Sequence, residues 1–128
     1  MKLDKLDILF SEFVRKRAIL RAGGCERCKR PYFDTQKDDG SIYPAYKYLQ
    51  CAHLIDRSKH STRWDEMAAA GLCGGCHMFI DRDHRAKEQF CLELLGEEEY
   101  DNLLGRAGHK PDKKLLMIYY KELVKSMV

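Results

Sequence analysis

The sequence predicts an α+β fold in a single domain. Three observations carry this. Apolar residues recur at helical spacing near both ends of the chain, a short strand-like run lies in the middle, and two Cys-x-x-Cys pairs bracket that run. With 128 residues, 45% of them apolar, the chain can bury one real core. With 34% charged residues and no long apolar run, it is expected to be neither a disordered tail nor a membrane span, and no secretory leader is visible.

The elements follow in order. Leu6, Leu9, Phe10, Phe13 and Leu20 fall near one helical face, with Lys16 and Arg17 close by, and Gly23-Gly24 ends that helix. Residues 31–47 form a turn-rich excursion marked by Pro31, Asp38-Asp39-Gly40 and Pro44. Tyr43, Tyr46 and Tyr48 decorate it; packing against the cysteine knuckle is the favoured role, stacking on bases the other. Tyr48 to Ile55 is strand-like, and a polar loop from Asp56 to Arg63 follows. Trp64 is expected in the core, with a wedge at a DNA branch as the alternative. A helical pattern then runs from about His77 to Leu95, closed by Gly96. Glu97 to Leu104 is a further short helix. A last helix follows Pro111-Asp112, with Leu115, Leu116, Ile118, Tyr119 and Leu123 as its apolar face. The divisions are 1–22, 23–96 and 97–128, with no internal repeat.

The net charge of +3 is too small to identify a partner, but the charges are polarised. Residues 1–30 carry nine Lys or Arg against four acids, while residues 88–101 carry six acids and no base. A chain built this way can show a basic face, or simply two solvated helix faces.

Cys25-x-x-Cys28 and Cys73-x-x-Cys76 form two ligand pairs. Each turn lets two thiolates reach one ion at about 2.3 Å, and two turns complete a tetrahedron, so a structural Zn²⁺ is expected. The 44 residues between the pairs would be closed into one loop by that ion. Glycine at Gly23-Gly24 and Gly74-Gly75 suits tight knuckles. A redox pair is the alternative, weakened by the lack of a βαβ pattern. Cys51 and Cys91 are left over and are expected to be small buried hydrophobes.

The order of these features carries a resemblance. Gln50-Cys51-Ala52-His53-Leu54-Ile55-Asp56-Arg57-Ser58-Lys59-His60-Ser61-Thr62-Arg63-Trp64-Asp65-Glu66, followed by Leu72-Cys73-Gly74-Gly75-Cys76-His77, resembles the HNH (ββα-metal) nucleases. Within them it is most similar to the NinG (Rap) recombination endonucleases of lambdoid phages. The Leu-Phe-Ser-Glu-Phe-Val-Arg-Lys-Arg-Ala helix leading into Cys25 also fits that family. The resemblance covers most of residues 6–100.

The resemblance implies a zinc-stapled ββα-metal core, residues 23–96, flanked by N- and C-terminal helices in one HNH-type domain. It implies a metal-dependent DNA endonuclease working on branched recombination intermediates such as D-loops or Holliday-type junctions. His53 would be the general base that activates water. His77 would ligate the catalytic Mg²⁺ or Mn²⁺, with Asp81 four residues on and His84 at i+7 as further candidates on the same helix face. Arg57, Lys59, His60 and Arg63 would contact DNA phosphates, with Arg82 and Arg85 extending that surface. Recognition is expected to be of branch shape rather than sequence. Recombination proteins are expected as further partners, and a dimer if junctions are cut symmetrically. The expected location is the cytoplasm of a bacterial or phage-infected cell.

Two departures from the family pattern stand out. Ala52 occupies the place before the base where many members carry a metal ligand. Ala68 falls near the position of the Asn that pins the base-bearing loop, a role Asp65 or Glu66 would have to take over. The alternative function is a non-catalytic zinc module that binds DNA or protein and derives from such a nuclease.

Overall fold

A computed structural model describes residues 4–56, 60–106 and 111–127. Helix α1 spans Lys5–Ala22. It starts at a reciprocal capping box: the Asp4 carboxylate accepts from Asp7 N at 2.9 Å, and Asp7 accepts from Asp4 N at 3.0 Å. It stops at Gly23, whose φ of 71° is the left-handed cap that glycine adopts without strain. Its buried face is Leu6, Asp7, Phe10, Phe13, Val14 and Ala18. Leu20 is not on that face; it is 68% exposed.

The excursion holds more order than its turn signals suggested. Strands β1 (Thr35–Gln36) and β2 (Ile42–Tyr43) pair antiparallel around the Asp38-Asp39-Gly40 turn, and a 3₁₀ turn, Ala45–Tyr48, follows. Strand β3 (Gln50–His53) pairs antiparallel with β4 (Ala69–Leu72), with Gln50 opposite Leu72 and His53 opposite Ala69. A short helix α2 (His60–Arg63) and a second 3₁₀ turn, Glu66–Ala68, lie between them in sequence. Helix α3 (Gly74–Arg82) leaves β4 directly through Cys73.

The helix expected from His77 to Leu95 is two helices. Asp83 adopts an extended φ of −121°, ends α3, and caps α4 (His84–Leu95) by accepting from Ala86 N at 3.0 Å. Helices α5 (Glu97–Gly105) and α6 (Lys113–Ser126) complete the fold. The apolar face of α6 is rotated from the expected one. Tyr120 is buried with Leu116, Met117, Leu123 and Val124 beside it, whereas Leu115, Ile118 and Tyr119 are exposed.

Two cores result. One gathers Ala18, Cys25, Leu49, Ala52, Leu54, Ala70, Leu72, Cys76, Ile80, Phe90 and Cys91 around the cysteine knuckles. The other packs Leu6, Phe10, Phe13, Val14, Trp64, Ala69 and Tyr120 between α1 and α6. Trp64 is therefore core and not a wedge. Arg17 ties the layers together, donating to the carbonyls of Glu66 at 2.6 Å and Ala69 at 2.7 Å. No helix among the described residues is long and apolar enough to cross a membrane.

Candidate functional site

The two knuckles meet. Gly24 bridges to Pro31, with Cys25 N donating to the Arg30 carbonyl at 3.0 Å; a Cβ on Gly24 would stand 1.9 Å from that oxygen. Glu26, buried, fastens this knuckle to β4: its N donates to the Gly71 carbonyl and its carboxylate accepts from Gly71 N at 2.7 Å, while Arg21 pairs with its other oxygen. The second knuckle sits at the start of α3, where Cys73 caps the helix.

The ligand atoms of Cys25, Cys28, Cys73 and Cys76 all lie within 4.8 Å of one another. A tetrahedron with bonds of about 2.3 Å has edges of roughly 3.8 Å, and the Cys28 and Cys73 sulfurs stand 3.9 Å apart. The quartet therefore fits a metal such as zinc. Burial opposes the Cys25 thiolate, but the backbone amides of Cys73, Cys28 and Arg27 outweigh it and draw that thiol down to about 7. Burial pushes Cys76 up to about 12, against the Arg27 guanidinium 3.4 Å from its sulfur. Metal binding must displace such protons.

A second group of polar side chains lines a cleft of about 660 Å³ between α1, the end of β3 and α3. His53, His77 and Asp81 line it, together with Asp7, Ser11, Arg15 and Asp56. His53 leaves the end of β3, and its ring centre lies 5.9 Å from that of Phe10. One turn into α3, His77 sets Nδ1 2.7 Å from the Gln50 amide oxygen. That oxygen only accepts, so Nδ1 is the donor in this contact, which leaves Nε2 as the ring nitrogen turned to the cleft. Nε2 lies 3.4 Å from the Asp81 carboxylate. Two ligands on adjacent vertices of an ion at about 2.1 Å stand roughly 3 Å apart, so this pair suits a divalent ion with open positions.

Other expected residues fall elsewhere. The break at Asp83 removes the shared-face argument for His84, which opens α4 at an exposed position and does not line the cleft. Arg63 is not displayed to phosphate. It is 7% exposed, and its guanidinium donates to both Asp7 oxygens at 2.9 and 2.6 Å. Arg57, Lys59 and the side chain of His60 lie outside the described residues. Asp65 pairs with Arg106 at 2.7 Å, and Glu66 accepts from the Tyr119 hydroxyl at 2.8 Å, so both are engaged away from His53. Leu54 N, next to His53, donates to the Ala68 carbonyl at 2.8 Å.

Gln50 and Arg15 belong to this region, and the sequence reading gave them no role in it. Gln50 opens β3 three residues before His53 and carries no motif, so nothing local pointed to it. No protein-family model, curated protein or solved structure matches the chain. The likeness to HNH nucleases accordingly rests on the residues quoted for it.

Proposed function

We propose that the chain is a metal-dependent DNA endonuclease acting on branched joint molecules. The observation that carries the reading is the convergence of His53, His77 and Asp81 on one cleft, although 23 residues lie between the first two. An antiparallel strand pair followed directly by a helix, as β3, β4 and α3 are, is the order that the ββα-metal resemblance calls for.

A divalent ion held by His77 and Asp81 would neutralise charge on the scissile phosphate. His77 presents Nε2 because Gln50 holds its Nδ1–H, an arrangement that fixes the ring and raises its basicity. Asp81 supplies the negative oxygen beside it. An imidazole is largely neutral at physiological pH, so His53 is suited to take the proton from the attacking water. Arg15 adds a cation to the same wall for a non-bridging phosphate oxygen.

The test is nicking of a junction or D-loop substrate in Mg²⁺ or Mn²⁺. Wild type is expected to cut, and His53→Ala to cut at least 10²-fold more slowly, the usual worth of a general base. A second reading, a non-catalytic zinc module that binds DNA, is favoured by buried Ala52, which offers no ligand beside His53. Binding without cutting in any divalent ion would establish that reading instead.

A further inference from the structure

The excursion before β3 carries an aromatic ladder that the nuclease reading does not use. Tyr32 and Tyr48 are stacked, with centroids 5.5 Å apart and planes 15° from parallel. Tyr43 meets Tyr48 at 4.9 Å. The rungs are held in place: Thr35 Oγ1 and the Tyr48 hydroxyl are 2.8 Å apart, and Tyr32 packs against the knuckle core. Cations lie over the two outer rings. Arg30 lies 5.5 Å from the Tyr32 centroid, and Lys37 and Lys47 lie 5.3 and 5.8 Å from that of Tyr43. Phe33, 72% exposed, and Ile42, 57% exposed, add apolar surface to the same hairpin.

Aromatic rings and cations in one cluster are what an unpaired nucleotide strand needs, since bases displace the mobile cations from the rings to stack there while phosphates meet the charges. The acid of this segment nearest in sequence to the ladder is engaged internally, Asp34 accepting from Ala45 N at 2.8 Å. The turn that bears Tyr48 also reaches toward the cleft. Tyr46, in the same 3₁₀ turn as Tyr48, lies 5.2 Å beneath both Arg15 and Lys16, and Arg15 lines the cleft.

We infer that the Tyr32–Tyr48–Tyr43 ladder, with Arg30, Lys37 and Lys47, is a binding platform for single-stranded DNA that leads an unpaired strand toward the cleft. The inference deepens the nuclease proposal by naming the feature of a branched substrate that this chain grips. It rests on that proposal only for the direction of the strand.

The experiment is fluorescence anisotropy with labelled oligothymidylate, using zinc-loaded protein and no added divalent ion. Binding is then read whether or not the chain cuts. Oligothymidylate is expected to bind at least tenfold more tightly than a duplex of equal length, and tenfold more tightly than an abasic strand that keeps the phosphates. Tyr43→Ala and Tyr48→Ala should each weaken binding by about tenfold. Lys37→Ala/Lys47→Ala, exposed positions that leave the rings intact, should lower the salt slope by about 1.4, the single-strand value for two phosphate contacts. Circular dichroism and zinc content check that each variant is folded. Equal binding of duplex, equal binding of the abasic strand, or a folded double-lysine variant with an unchanged slope would each overturn the inference. So would capture of a polypeptide that oligothymidylate cannot displace.

Discussion

Around the cysteines, the core is made of small residues: Ala18, Ala52 and Ala70 pack with Leu72, Ile80 and two knuckles of thiols. Around Asp7, it is made of large rings: Phe10, Phe13, Trp64 and Tyr120, with centroids of Phe10 and Tyr120 5.1 Å apart in an edge-on contact. The first core is built around four thiols that could hold a metal such as zinc, which would close its loop. The second has ample area and spends part of it enclosing an ion pair. Asp7 accepts from Arg63 twice, from the Trp64 indole at 3.0 Å, and from the Asp4 amide. The lesson is that one lobe should answer to metal and the other to removal of a single carboxylate. The cleft lies where they join, lined by Asp7 from one and His77 from the other.

The largest effect should come from the metal. Structural zinc in small domains supplies about 10–16 kcal/mol of apparent binding energy, comparable with a whole domain's stability. Chelation, or Cys25→Ser, should therefore release the amides of β3 and β4 to hydrogen exchange first, while those of α1 facing α6 keep protection longer. Simultaneous loss everywhere would erase the distinction between the lobes.

Next comes Asp7→Asn, which leaves Arg63 buried without its partner and should cost about 3–5 kcal/mol in a denaturant titration. Its pH dependence has a definite sign. Burial opposes ionisation of Asp7, but Arg63, the Asp4 amide and Trp64 outweigh it and lower the carboxyl from 3.8 to about 2. The stabilisation is thus complete above the unfolded value and lost as pH falls from about 4 through about 2. Fluorescence of Trp64, the single tryptophan, reads this lobe directly.

A smaller effect is expected at Gly71, where an added Cβ would stand 2.6 Å from that of Ala18. Gly71→Ala should push α1 off β4 and cost about 1–3 kcal/mol, seen as a lower melting temperature. Smallest, and opposite in sign, is Lys29→Gly. Lys29 holds a φ of 65° at the first knuckle, where a Cβ is strained, so glycine should raise stability by up to about 1 kcal/mol in the same melt.

The difference between the lobes also decides what could be read from the sequence. The thiol quartet was legible because ligand spacing is local: two Cys-x-x-Cys turns specify their own geometry. The end of α1 was legible for the same reason, through Gly23. The His53 and His77 positions emerged from the resemblance, not from periodicity. What stayed hidden is long-range. Arg63 looked like one more base in a polar loop, because its partner Asp7 lies 56 residues away. The face of α6 was misjudged by one helical step because Leu115, Ile118 and Tyr119 are as apolar as the residues that pack. The break at Asp83 was masked by apolar spacing that continues across it into Phe90 and Leu94, although an Asp three residues before Ala86 is a cap signal.

The most direct test of the account is anomalous diffraction from crystals of the zinc-loaded protein soaked in manganese. The account predicts a manganese peak within bonding distance of His77 Nε2 and an Asp81 oxygen, on the side of the cleft that His53 faces, with zinc retained by the four sulfurs. Manganese absent from that pair at saturating concentration, while zinc stays in its thiol cage, would contradict it.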